Sequence, residues 1–384
     1  MDRRVVSEAM TAAPDDRPIR VLQVSKHYHP VTGGIETVVE QLVSGIEGVS
    51  FRVLTATERG LGGVDSVDGV PVVRAGNLGN VKSTPLAPSF PVRLRRQAEW
   101  ADLVHYHLPF PVGPVSHLLA RVDAPTVVTF HDDIIGKGPV VYPYRPVLDR
   151  FLRGADRLLV TSPNMRDECE TVAPFADKTT VIPLGIDADE TAAAPRRPGG
   201  RRVLFVGRLV PFKGVSTLLA AMERVDGSLS VVGTGPERDA LEREAARREL
   251  TDRVTFEGFV SDARLDRLYR EADVFVLPSV GANESFGIVQ LEAMQRGLPV
   301  VNTDLPTGVP YVSVDGETGR TVPPGDPEAL AAAVEGVLDD PDRYERFSES
   351  AIRRVRREFT SDRLLRETEA VYREVLDEAE PAGI

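Results

Sequence analysis

The 384-residue chain contains one cysteine, Cys169, and one tryptophan, Trp100. A lone thiol excludes an intramolecular disulfide and any cysteine-based zinc cluster, and it suits a reducing compartment. Cytoplasmic placement is therefore expected. No apolar run reaches the roughly 18–20 residues of a membrane span. The start, MDRRVVSEAMTAAPDDRPIR, lacks the apolar core of a signal peptide, so residues 1–17 read as a flexible tail. HExxH, GxxxxGK[ST] and GxSxG patterns are missing, and no metal ligand is assigned. GTGPER (233–238) lacks the third glycine of a dinucleotide fingerprint, which disfavours a Rossmann oxidoreductase.

A basic excess is missing too. The net charge of −12 argues against general nucleic-acid binding. The charge is uneven: residues 1–185 sum to −1 and the remainder to −11. An acidic second half repels phosphates unless particular cations are placed to meet them.

What is present is 42% hydrophobic residues, enough for two cores at this length. Short β-branched runs alternate with helical patterns, beginning at IRVLQVS and continuing through DLVHYH, PTVVTF and RLLVTS. The polar stretch 186–200 interrupts this pattern, which restarts at VLFVG (203–207). Such alternation predicts an α/β protein with two doubly wound, Rossmann-like domains facing a central cleft. The expected boundaries are 18–185, a linker at 186–200 and 201–360. A helix within 361–384 is expected to pack back across the seam.

Three groups of residues are placed for chemistry. In VLFVGRLVPFKG a strand ends at Gly207, and Arg208 and Lys213 follow before Gly214 opens a helix. Two cations beside free helix amides form an anion site. In ESFGIVQLEAMQRGLP, Glu284 and Glu292 are separated by seven residues, with Phe286, Gly287 and Ile288 expected to open the helix between them. The carboxylates would stand roughly 12 Å apart at most along the axis. A diphosphate on those amides would leave each free to accept hydroxyls. In the first half, Gly33-Gly34 lies in a strand–helix turn, where backbone can approach a phosphate. His131 ends PTVVTF ahead of Asp132 and Asp133. His27, His29, His105 and His107 read better as structural.

Together these motifs resemble glycosyltransferase family 4, the retaining group 1 enzymes of GT-B fold. GGIETVV, FHDD, VGRLVPFKG, VGTGPE, FEGFVSD and ESFGIVQLEAMQRGLPVV occur in that family's order over about residues 19–375. DLVHYHLPFP and NTDLPTGVPYVSVDGETG are closer to the subgroup building surface polysaccharides and lipid-linked glycans, where mannosyltransferases are frequent. NTDLPTGVP departs from the Gly-Gly-x-Pro-Glu stretch of many relatives.

The resemblance implies a hexosyl transfer from a nucleotide-diphosphate sugar, GDP- or UDP-linked, to a glycan or lipid-linked acceptor. The first domain would bind acceptor and the second donor. Arg208 and Lys213 would hold the diphosphate without a metal or other cofactor. Glu292 would bind the ribose, and Glu284 the sugar. Phe286, Gly287 and Ile288 would contact sugar and phosphate, and Gly34 would lie on the phosphate. Phe259 and Val260 would neighbour the base. Gly207 and Gly233 would line the donor pocket, and His131 would sit at the reacting face. A phosphorylase, an epimerase and a non-catalytic nucleotide-sugar scaffold are the alternatives. For PVRLRRQAEW (91–100), with Arg93, Arg95, Arg96 and Trp100, two readings stay open. One is a solvated amphipathic helix. The other is peripheral contact with an anionic membrane surface.

Overall fold

A computed structural model of the chain describes residues 17–31, 33–81, 84–132, 144–187 and 196–379. The order begins with β1 (Ile19–Val24), α1 (Gly34–Gly45), β2 (Val49–Ala56), β3 (Gly63–Val67) and β4 (Val70–Ala75). A short hairpin of β5 (Asn80–Val81) and β6 (Thr84–Pro85) precedes α2 (Phe90–Ala98) and β7 (Leu103–Leu108). Next come α3 (Val112–Ala120), β8 (Thr126–Phe130), α4 (Arg145–Gly154), β9 (Arg157–Val160), α5 (Pro163–Glu168) and β10 (Thr179–Val181).

The second half contains β11 (Arg202–Val206), α6 (Val215–Met222), β12 (Ser228–Val232), α7 (Arg238–Arg247), β13 (Val254–Gly258) and α8 (Asp262–Glu271). It continues with β14 (Val274–Leu277), α9 (Val289–Gln295), β15 (Val300–Thr303), α10 (Val309–Val312) and β16 (Gly319–Val322). Three helices close the chain: α11 (Pro327–Leu338), α12 (Pro341–Glu358) and α13 (Ser361–Ala379). The starts of α11 and α12 are written locally. Asp326 and Asp340 cap them through their side chains, each with proline at the first helical position.

The first sheet has the order β10-β9-β8-β7-β1-β2-β4-β3, with only β3 antiparallel. The second is parallel throughout, in the order β13-β12-β11-β14-β15-β16. Helices cover both faces of each, so central strands such as β7 and β8 are buried along their whole length. Chain direction across the sheets reverses between β1 and β7 in one and between β11 and β14 in the other. Crevices at the carboxyl ends of such strands are where doubly wound folds bind ligands.

The last helix belongs to the first sheet. Leu364, Val371, Tyr372 and Val375 of α13 are buried in the cluster formed by α1, β1 and β2. The chain therefore passes between domains twice, after β10 and again after α12. These passages meet: Ile186 N donates to Phe359 O and Ser361 N to Ile186 O, each at 3.0 Å. Much of the linker expected at 186–200 lies outside the described residues.

Candidate functional site

The loop after β11 is tightened by a 3-10 turn, Pro211–Lys213, closed by Gly214 at φ 67°. A Cβ on Gly214 would stand 2.0 Å from Pro278 O, so only glycine allows this contact with the segment after β14. The approach joins two groups that the sequence keeps 71 residues apart (213 to 284). Lys213 Nζ lies 2.5 Å from Glu284 Oε2, with side chains only 13% and 8% exposed. Ser279 Oγ donates to the same oxygen over 2.8 Å. Ser279 carries no motif in the sequence; only its position after β14 could have flagged it. Arg208 is exposed and has no ion-pair partner among the described residues.

Helix α9 starts at Val289, three residues later than expected, and Ile288 is its N-cap. The reason is Gly287, whose φ of 72° is left-handed. A Cβ there would meet Leu277 Cδ2 at 2.6 Å and Gln290 Nε2 at 2.9 Å. Phe286, Gly287 and Ile288 thus form a turn whose own amides make no backbone hydrogen bond among the described residues, while Gln290 N and Leu291 N bond back to Gly287 O and Ile288 O at 2.9 Å. Phe286 is buried; its role includes packing against Phe359 at 6.1 Å.

Glu292 lies in the first turn of α9, where burial raises its pKa against a bond from Tyr269 that lowers it. Tyr269 Oη donates to Glu292 Oε2 at 2.7 Å. Arg296 lies over the Tyr269 ring at 5.1 Å and pairs with Asp266 at 2.9 Å. Sequence reasoning missed Tyr269, because an aromatic on an amphipathic helix reads as core. Gly207 and Gly233 immediately follow β11 and β12, joined to neighbouring strands through Gly207 N to Val232 O and Gly233 N to Gly258 O. Phe259, just past β13, is 89% exposed, and Val260 is half-buried.

The departure from the Gly-Gly-x-Pro-Glu pattern has its own lock. Buried Asn302 Nδ2 donates to Val309 O, Ser313 O and Gln290 Oε1, tying the loop after β15 to α9. Gly308 N donates to Ser285 O at 2.7 Å. A Cβ on Gly308 would lie 3.3 Å from Ser162 Cβ, so the two domains touch here.

In the first domain, Gly34 is the first residue of α1, and a Cβ on it would meet nothing within 4 Å. His131 follows β8 and is buried, its amide bonded to Leu108 O. Its ring nitrogen Nε2 is 3.0 Å from His107 Nδ1. Burial pulls the His131 pKa down to about 4. His27 and His29 stand in the loop after β1. Asp133 lies outside the described residues. No hydrogen bond among the described residues joins His131 to the Lys213–Glu284 pair, which belongs to the other domain.

Helix α2 is amphipathic, with Phe90 and Leu94 buried and Arg95 and Arg96 exposed. Leu94 is in the core, and Trp100 is covered by the Arg52 guanidinium, 4.1 Å above its ring. Of the three apolar residues, only Val92 is well exposed. The apolar surface lies nearby instead, in a groove of about 580 Å³ lined by Leu78, Leu86, Pro88, Pro91, Val115 and Leu119.

Comparison with known proteins fits this architecture. Residues 187–354 match the family model for glycosyl transferases group 1, and residues 32–190 that for glycosyltransferase family 4. The O-antigen chain mannosyltransferase C of Escherichia coli is 33% identical, over 90% of this chain and 96% of its own length. D-rhamnosyltransferase WbpZ of Pseudomonas aeruginosa is 35% identical, over 89% and 93%. Among solved structures, sucrose-phosphate synthase of Thermosynechococcus elongatus superposes with a TM-score of 0.75 at 23% identity, over 94% of this chain and 100% of that one. Anabaena HepE in complex with UDP gives 0.74 at 21%, over 93% and 100%. The two facing Rossmann-like domains are the GT-B architecture. The chain belongs to the group 1 glycosyltransferases of family 4 and is an enzyme.

Proposed function

We propose that the protein transfers a hexosyl group of manno configuration, with retention and without a metal ion, from a nucleotide-diphosphate sugar to a glycan or lipid-linked acceptor. The observation that supports this reading is the Lys213–Glu284 ion pair, which joins the loop after β11 to the segment after β14, with Arg208 in the same loop and Glu292 on the helix that follows. The names of the two relatives, a mannosyl- and a D-rhamnosyltransferase, support the sugar class, because D-rhamnose is 6-deoxymannose. GDP-mannose is the first donor to test.

Breaking the anomeric C–O bond puts negative charge on the diphosphate and positive charge on the ring. Exposed Arg208 and the amides at Phe286–Ile288 are free to receive the diphosphate. Lys213 would turn from Glu284 toward the arriving anion, which releases Glu284 to accept sugar hydroxyls. Fixed donors aimed at a leaving group are commonly the largest catalytic contribution. Glu292, oriented by Tyr269, takes the ribose, and Phe259 with Val260 borders the base. Gly207 and Gly233 line the pocket. Gly34 and His131 meet the donor from the first domain when the cleft closes, excluding competing water. Retention then follows from attack on the face the phosphate leaves.

The apolar groove beside α2 suits the lipid of a lipid-linked acceptor, with Arg93, Arg95 and Arg96 turned to anionic headgroups. Leu119 at 69% and Leu78 at 78% exposure border it. Among the described residues, no helix is long and apolar enough to cross a membrane.

The test supplies purified protein with a panel of GDP- and UDP-sugars, EDTA, and lipid-linked acceptors in anionic or neutral vesicles. Transfer from a manno-configured donor in EDTA, with anomeric configuration kept, is the expected product. Transfer that requires a divalent ion, or inverts the anomer, sinks the mechanism. Tyr269→Phe removes a donor to Glu292 worth about 1–2 kcal/mol. Its donor KM should rise about fivefold to twentyfold while kcat changes little. An unchanged KM would remove Tyr269 from the site.

A further inference from the structure

Three buried histidines and a glutamine form a continuous line of hydrogen bonds from the carboxyl end of β8 to the C-terminal helix. His131 Nε2 lies 3.0 Å from His107 Nδ1, and His107 Nε2 lies 2.7 Å from Gln23 Oε1. Gln23 Nε2 donates to Tyr372 Oη over 3.0 Å. Tyr372 Oη is 2.7 Å from His105 Nδ1, and His105 Nε2 is 2.7 Å from Thr129 Oγ1. Gln23, His105 and Tyr372 are all 0% exposed, so water does not complete their bonding.

With the Gln23 amide oriented as it stands, its nitrogen toward Tyr372, elementary valence fixes every proton along this line. A carboxamide oxygen only accepts, so His107 must carry its proton on Nε2. Burial keeps these rings neutral, which leaves His107 Nδ1 bare and accepting. His131 must then carry its proton on Nε2. On the other side, Tyr372 accepts from Gln23 and gives its own proton to His105 Nδ1, so His105 donates from Nε2 to Thr129. The tautomer of one ring is set by the hydrogen bond at its other nitrogen.

We propose that Gln23 and Tyr372 are positioning residues that hold His131 as the Nε2-protonated tautomer, so that its Nδ1 accepts a hydrogen bond from a substrate hydroxyl. The inference rests on the reading that His131 meets the reacting sugar. Its rival is the same line with the Gln23 amide turned over. Every bond would then reverse, and His131 would donate from Nδ1. Tyr372 is the partner that ties the Gln23 amide to His105, accepting from Gln23 Nε2 and donating to His105 Nδ1. In Tyr372→Phe, either orientation of Gln23 leaves one end of its amide unpaired, so neither is favoured. The helix that crosses the seam would thus act on the chemistry through hydrogen bonds and not through contact with substrate.

The experiment is long-range ¹H–¹⁵N correlation on the full chain labelled with ¹⁵N-histidine, near pH 7.5, with His131 assigned by the loss of its signals in His131→Gln. Wild type should show His131 wholly protonated at Nε2. Tyr372→Phe should show both tautomers, with kcat lower by about tenfold and donor KM within twofold, because misplacement at the reacting centre costs rate more than binding. A wild-type His131 protonated at Nδ1 overturns the proposal, as does a Tyr372→Phe protein with unchanged tautomer and kcat. Should Tyr372→Phe fail to fold, the wild-type spectrum alone still decides the tautomer. If His131→Gln transfers at the wild-type rate, the placement of His131 at the reaction fails, a result distinct from the tautomer measurement.

Discussion

Lys213→Ala should lower kcat/KM by about 100- to 1000-fold, the usual cost of removing one fixed donor from a developing anion. The same substitution should also destabilise the unliganded protein. Lys213 and Glu284 are each other's counter-charge in a place where little water reaches either, and Ser279 alone would remain beside the carboxylate. Breaking a buried pair from one side costs about 3–5 kcal/mol because a charge is left uncompensated. Adding Glu284→Gln to Lys213→Ala should recover most of that stability and none of the activity. Urea melts and steady-state rates on both proteins separate the two effects. If the single variant keeps rates within a few-fold of wild type, the donor-site assignment falls. If it is inactive but fully stable, the ion pair contributes nothing to the resting fold.

Mild acid should unfold the protein steeply. Burial pulls His105 down to about 3 and His117 and His131 to about 4, while His107 falls well below its ordinary value. In the unfolded chain all four take up protons near pH 6.5, whereas the fold refuses them until much lower pH. Their contribution to stability is therefore complete above pH 6.5 and declines as pH falls toward 4. Each refused proton contributes about 1.4 kcal/mol per pH unit, so four together approach about 5 kcal/mol per unit at the steepest. Glu292 acts in the opposite sense, since its raised pKa lets the fold take a proton before the unfolded chain does. The urea midpoint should hold between pH 8 and 7 and drop sharply between pH 6 and 5. A flat midpoint down to pH 5 would show that these rings protonate without unfolding.

The architecture was readable because its signals are local. Parallel strands buried on both faces are short apolar runs, and Asp-Pro pairs announce the starts of α11 and α12. Arg208, Lys213 and Glu284 could be placed at strand ends for the same reason, each lying in the loop that follows β11 or β14, whereas Glu292 lies in the helix beyond. Their pairing was not readable, since the contact of Gly214 with Pro278 O that brings Lys213 to Glu284 is a matter of tertiary approach. The start of α9 was misplaced because Gly287 fits a helix by pattern but holds a left-handed φ. The line of histidines was out of reach for a plainer reason: Gln23 and Tyr372 are 349 residues apart in sequence. The apolar groove beside α2 was not readable, because periodicity shows which residues share a face, but not which neighbour covers it or leaves it bare. Trp100 was covered by Arg52, from a different strand.

Where the polypeptide passes between the domains, its two strands are stitched together at Ile186, Thr360 and their neighbours. Two separate tethers would let the halves slide, twist and bend almost independently. A stitched pair resists sliding, because one strand cannot advance past the other without breaking both main-chain bonds. Any opening and closing of the cleft would thereby be channelled into bending about one short ribbon, so that the path of approach would repeat from one turnover to the next.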